Sequence, residues 1–153
     1  AEEALRLKRD IYSGRLRLNG EDDIETLRAA NNYAVSLRNL QRFKEAKSLL
    51  RKTIPVARRV LGEEHLLTLK MRKIYASAHC NDPASTLDDL REALTTLEDA
   101  ARIARRVLGG AHPITGGIEA ALQSARAALR AHVAASGDMS SIRKAMEALT
   151  PGD

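Results

Sequence analysis

The string Ala-Arg-Arg-Val-Leu-Gly occurs twice in this chain, at residues 57–62 and again at 104–109. An internal repeat constrains a fold more than composition does. Units that recur in sequence recur in structure, and each must bury its apolar face on a neighbour. Both copies are followed by a histidine and then a threonine, His65 with Thr68 and His112 with Thr115, and they stand 47 positions apart. A more diverged copy lies 42 positions ahead of the first, where Leu-Arg-Leu-Asn-Gly ends at Gly20 and Thr26 answers Thr68. A second landmark falls in the same register: Glu3-Ala4, Glu45-Ala46 and Glu92-Ala93. The longer spacing is accommodated by an insertion in the turn at residues 81–89.

Apolar periodicity gives each unit its shape. Ile24, Leu27, Ala30, Ala34 and Leu37 recur at three and four, and after a turn at 39–42 so do Phe43, Ala46, Leu50, Ile54, Ala57 and Leu61. The next unit repeats the scheme with Leu69, Ile74, Ala76 and Cys80, then Leu87, Leu90, Leu94, Leu97, Ala101, Ala104 and Leu108. A third helix of the first kind carries Ile118, Leu122, Ala125, Leu129 and Val133, with Pro113 at its first position. Gly20, Gly62 and Gly109 stop the second helix of each pair. Thr86 and Asp89 form a capping box with Asp in place of Glu. Pro55 lies deep inside a helical stretch, so that helix either kinks or is two shorter helices; the apolar register continues past the proline, which favours the kink.

The expected fold is therefore all-α: an α-solenoid of antiparallel helix pairs, about seven helices in all. Residues 1–135 form the array. Within it, 1–20 is the second helix of a truncated repeat, 21–62 a repeat, 63–109 a repeat with a turn insertion, and 110–135 the first helix of a last unit. Residues 136–153 form a linker and a short capping helix carrying Ile142, Ala145, Met146 and Leu149. Composition agrees, since Ala and Leu dominate, aromatics are 3% and Trp is absent.

Several function classes fall away. No window approaches the ~20 apolar residues of a membrane span, and no signal peptide opens the chain. One cysteine, Cys80, permits no intrachain disulfide and points to a reducing, cytoplasmic setting. No phosphate loop, zinc-protease motif or nucleophile elbow is present. His65 and His112 share one repeat position at a helix start, a structural placement. His79 and Cys80 are adjacent, so they point about 100° apart on a helix and do not share a metal. An enzyme, a cofactor and a metal are all unexpected. The net charge of +5 leaves nucleic acid as a distant alternative. Its basic pairs, Arg15 with Arg17, Arg58 with Arg59 and Arg105 with Arg106, lie in last turns, where cations offset the helix dipole. Few aromatics remain to stack on bases.

The order Thr26-Leu27, Asn31-Asn32-Tyr33-Ala34, Phe43, Glu45-Ala46, Val60-Leu61-Gly62 and His65 resembles the 42-residue tetratricopeptide repeats of kinesin light chains and nephrocystin-like proteins. The chain departs from that pattern at Gln41, where the family has a turn glycine, and at Ala120-Ala121-Leu122-Gln123, where it has Asn-Asn-aromatic-Ala. The resemblance implies a right-handed superhelix whose first helices line a concave groove that takes an extended peptide. By register the groove would present Arg28, Asn31, Asn32, Val35 and Arg38 from the first unit, and Lys70, Lys73 and Ser77 from the second. Gly117, Ala120, Ser124 and Ala127 of the third are too small to grip. This set suggests a protein or peptide partner, an acidic peptide among them. Two blander readings stand beside it: solvated helix faces, and a purely architectural spacer or oligomerisation segment. Self-association through apolar surface on the truncated first unit belongs with the second.

Overall fold

The computed structural model describes residues 1–137 and 139–150. Asp138 of the expected linker, residues 151–153 and the side chains of Ser141 and Ala145 lie outside the described residues. Seven α-helices and no strands are found among the described residues: α1 (Glu2–Asn19), α2 (Ile24–Asn39), α3 (Phe43–Leu61), α4 (Leu66–Asn81), α5 (Leu87–Leu108), α6 (Pro113–Ser136) and α7 (Met139–Leu149). Each packs on the next through a short turn, which forces neighbours to run antiparallel.

A second set of contacts turns this meander into a stack. α4 also touches both α2 and α6, so the first helices form one continuous layer. The backbones of the second helices α1, α3 and α5 do not approach one another closely; each packs on that layer instead. One face of the protein is thus a packed wall of α2, α4 and α6. The other is ribbed, with grooves between α1, α3 and α5.

Local chemistry sets the helix ends. His65 and His112 are N-caps whose Nδ1 atoms accept from the backbone N–H of Leu67 and Ile114, at 3.0 and 3.1 Å. This satisfies one of the four free donors at each helix start. The reciprocal box of Thr86 and Asp89 is formed. Gly62 and Gly109 leave their helices with φ of 93° and 86° and an extended ψ. That region is open to glycine and closed to residues with a Cβ. α3 runs unbroken through Pro55, so the stretch is one helix rather than two.

The recurring threonines are buried at equivalent points of the stack. Thr26, Thr68 and Thr115 occupy one repeat position and are at most 2% exposed. Thr68 donates its hydroxyl to the carbonyl of Ala57 on the preceding helix, at 3.4 Å, whereas the hydroxyls of Thr26 and Thr115 have no such partner among the described residues. The core divides into two clusters. One joins α1 to α4 around Leu27, Leu37, Leu50 and Met71. The other joins α4 to α6 around Leu69, Leu94, Leu97, Ile118 and Leu129, with α7 packed against its far end. Only α4 contributes to both, and it is buried on nearly every side.

Candidate functional site

On the wall of first helices, α2, α4 and α6 border an open cavity of about 270 Å³. Asn31 and Val35 line it from α2, Lys70, Lys73 and Ile74 from α4, and Pro113 and Ile114 from α6. Val35, Ile74, Pro113 and Ile114 make an apolar floor and sides. Two ammonium groups and one amide supply the polarity. The Asn31 carbonyl oxygen is buried and accepts no hydrogen bond. Its amide thus keeps an acceptor that a bound hydrogen-bond donor could use. Lys73 reaches across to α6, where its Nζ lies against Gly117 and would be 3.1 Å from any Cβ there. The glycine makes room for the lysine.

Four of the eight residues expected in the groove therefore come together: Asn31, Val35, Lys70 and Lys73. The others stand apart from this cavity. Arg28 is exposed and pairs with Glu25 at 3.3 Å. Asn32 is exposed one residue further round the helix than Asn31, outside the lining. Arg38 is half-buried and bonded to the Asn39 side chain at 3.0 Å, and burial holds its guanidinium below its ordinary value. Ser77 is half-buried on the last turns of α4. Three lining residues were missed by the sequence reading, Ile74, Pro113 and Ile114. The last two follow the N-cap His112 directly, so the histidine that starts α6 was the available signal.

Several other titratable groups are tied into the fold. Arg59 pairs with Asp22 at 2.7 Å, Arg105 with Glu119 at 2.6 Å and Arg106 with Glu64 at 2.6 Å, while Arg58 reaches Glu63. These arginines close ion pairs with carboxylates in neighbouring turns and helices, a role the dipole argument alone did not foresee. His79 is fully buried, with Tyr75 at its edge 4.7 Å away, and neither of its nitrogens has a partner. Burial pushes the Cys80 thiol up to about 11, so it stays protonated and a poor nucleophile. Among the described residues no helix is long and apolar enough to cross a membrane.

The tetratricopeptide repeat family matches the chain over residues 26–67 and 84–114. No curated protein matches it. The matched stretches hold α2 and α3 with the start of α4, then α5 with the start of α6. Repeats of this family are non-catalytic modules through which proteins bind other proteins or peptides. Stacked helix pairs, a recurring His-capped helix start and the match itself make the chain a tetratricopeptide repeat protein.

Proposed function

We propose that the protein is an interaction module that holds an acidic peptide segment in the cavity between α2, α4 and α6. The carrying observation is the juxtaposition of the buried, unpartnered Asn31 oxygen with Lys70 and Lys73 over an apolar floor. An extended peptide offers what each element lacks: a backbone N–H for Asn31, a carboxylate for the lysines and an aliphatic side chain for Val35 and Ile74. Arg28 and Arg38 extend the positive strip along α2 beyond the cavity. At about 270 Å³ the cavity suits one anchoring side chain rather than a whole small-molecule ligand, which takes roughly 300–1,000 Å³.

The test is a selection from a random peptide library on the wild-type chain and on a Lys70→Glu/Lys73→Glu variant. The wild type is expected to enrich Asp- and Glu-containing peptides, and the variant to lose that enrichment. Identical enrichment on both proteins removes the groove from the reading.

A second reading, self-association, is favoured by one observation. Leu7, Ile11 and Leu18 form an apolar stripe on α1 and are 61%, 45% and 79% exposed. Sedimentation of the wild type against Leu7→Glu separates the two. A concentration-dependent mass that the substitution abolishes supports association through α1, and a constant monomer mass excludes it.

A further inference from the structure

The ribbed face carries two grooves that are copies of one another in sequence yet differ in what they hold. The first lies between α1 and α3 over α2, the second between α3 and α5 over α4. Repeat register matches Arg9 to Arg51, Tyr33 to Tyr75 and Glu45 to Glu92. The second groove uses this trio to close itself. Arg51 donates to the Tyr75 oxygen at 3.1 Å, and the Tyr75 hydroxyl donates to Glu92 at 3.0 Å. Beneath them Arg72, 6% exposed, pairs with Asp99 at 2.8 Å. The space left is about 180 Å³.

In the first groove every one of these links is undone. Glu45 turns away to Arg42, with bonds of 2.7 and 2.9 Å, and Arg9 reaches only Asp10, at 3.4 Å. The Arg72–Asp99 ion pair has no counterpart, because Ala30 stands where the second groove has Arg72 and Lys52 where it has Asp99. One substitution removes volume and the other reverses a charge. The resulting cavity is about 510 Å³, well within the range of ligand sites.

Its lining is rich in donors. Lys44 and Lys52 form no ion pair or hydrogen bond among the described residues, and neither do the hydroxyls of Ser13, Ser48 and Tyr33. The only carboxylate in the lining, Glu45, is already committed to Arg42. Tyr12 and Tyr33, half of the chain's four aromatic residues, stand side by side there with ring centroids 6.2 Å apart. A site with many donors, two free ammonium groups and an aromatic wall asks for a compact, acceptor-rich dianion on an apolar carrier. A single carboxylate leaves most of those donors unused. A phosphate monoester brings three strong acceptor oxygens and close to two negative charges, and tyrosine rings pack well against an aryl or alkyl carrier.

We infer that the groove between α1 and α3 is a second binding site, on the face opposite the α2–α4–α6 cavity, and that it takes a phosphate monoester. Arg9, Lys44 and Lys52 hold the phosphate, and Tyr12 and Tyr33 hold its carrier. The site is independent of the acidic-peptide reading, since it shares no residue with that cavity.

The experiment is an NMR titration of the whole chain with phenyl phosphate, and with benzoate as a matched single carboxylate. Phenyl phosphate is expected to shift the backbone amides of residues 9–13 and 44–52 saturably and to bind more tightly than benzoate. Lys52→Asp, which installs at an exposed position the residue of the second groove, should weaken phenyl phosphate about tenfold, as loss of one charged hydrogen bond does. The result that sinks the inference is no saturable shift, equal affinity for benzoate, or indifference to Lys52→Asp in a variant of unchanged circular dichroism. Shifts centred instead on residues 70–74 and 113–114 would move the anion to the other face and also overturn it. A tyrosine-phosphorylated peptide then identifies the source. Tighter binding than phenyl phosphate identifies a protein partner, and equal binding a small phosphate ester; either supports the chemistry.

Discussion

Gln41 carries the strained backbone of this protein. Its φ is 62°, the one positive value outside glycine among the described residues, and it sits just past the end of α2. The N–H of Gln41 donates to the Arg38 carbonyl at 2.9 Å and that of Arg42 to the Leu37 carbonyl at 2.8 Å, the two bonds of a Schellman turn. The turn requires the left-handed conformation, and glutamine adopts it at a cost of roughly 1–2 kcal/mol. Gln41→Gly relieves the strain but loosens the unfolded chain, so the expected net gain is about 0.5–1 kcal/mol, read as a higher midpoint in urea. His79 gives the second prediction at this scale. Burial first, and Lys47 second, push its pKa below the ordinary 6.5, while Glu92 and Asp89 oppose them. Arg51 adds to the lowering. The unfolded chain therefore takes up the proton at a higher pH than the folded one. Stability contributed by this residue is full above pH 6.5 and is lost as the pH falls below it toward the folded value. His79→Phe, which places carbon where two unpartnered nitrogens stood, is expected to flatten the urea-midpoint profile below pH 6.5. An unchanged slope would mean that other groups set it.

Single helices show which parts of the structure the sequence could reveal. The capping box of α5 was legible because it is local: Thr86 and Asp89 are three residues apart and need no neighbour to find each other. Thr86→Ala is expected to destabilise the protein by about 1 kcal/mol in chemical denaturation. The helix starts at His65 and His112 were legible for the same reason. The candidate groove was only half legible. Periodicity locates the outward side of α2 but not which of the adjacent Asn31 and Asn32 meets α4, because that depends on how two helices distant in sequence cross. Packing turned Asn31 inward and left Asn32 in solvent. Arg72 was illegible altogether. A charge in a helix is read as solvent-facing, yet it is buried between α4 and α5, held by Asp99 at 2.8 Å and near Glu63 at 3.7 Å. Removing one member of a buried pair generally costs about 3–5 kcal/mol because the other is stranded. Here Asp99 keeps Arg102 at 2.7 Å and Glu63 keeps Arg58. Arg72→Met is therefore expected to cost less than that, about 1–2 kcal/mol. A larger loss would show that the guanidinium itself organises the α4–α5 contact.

The two core clusters and their single shared helix govern how the whole molecule comes apart. A globular core fails as one unit, whereas stacked repeats fail where an interface weakens, since each contacts only its neighbours. Leu50 belongs to the cluster of α1 to α4 and Leu97 to that of α4 to α6, and both are fully buried. Truncating either to alanine costs about 2–5 kcal/mol. The expected consequence is local. In Leu50→Ala the amides of α1 to α3 should exchange faster while those of α5 and α6 keep their protection, and Leu97→Ala should reverse the pattern. α4 is the exception, because Met71 faces one cluster and Leu69 the other on the same helix. Met71→Ala/Leu69→Ala should therefore raise exchange in every helix from α1 to α6 together. That contrast also bears on binding, since α4 supplies Lys70, Lys73 and Ile74 to the cavity between α2 and α6. A ligand there touches both halves of the stack at their common helix. It should suppress the local opening of each half by a similar factor, which hydrogen exchange can read at α3 and α5 in a single experiment.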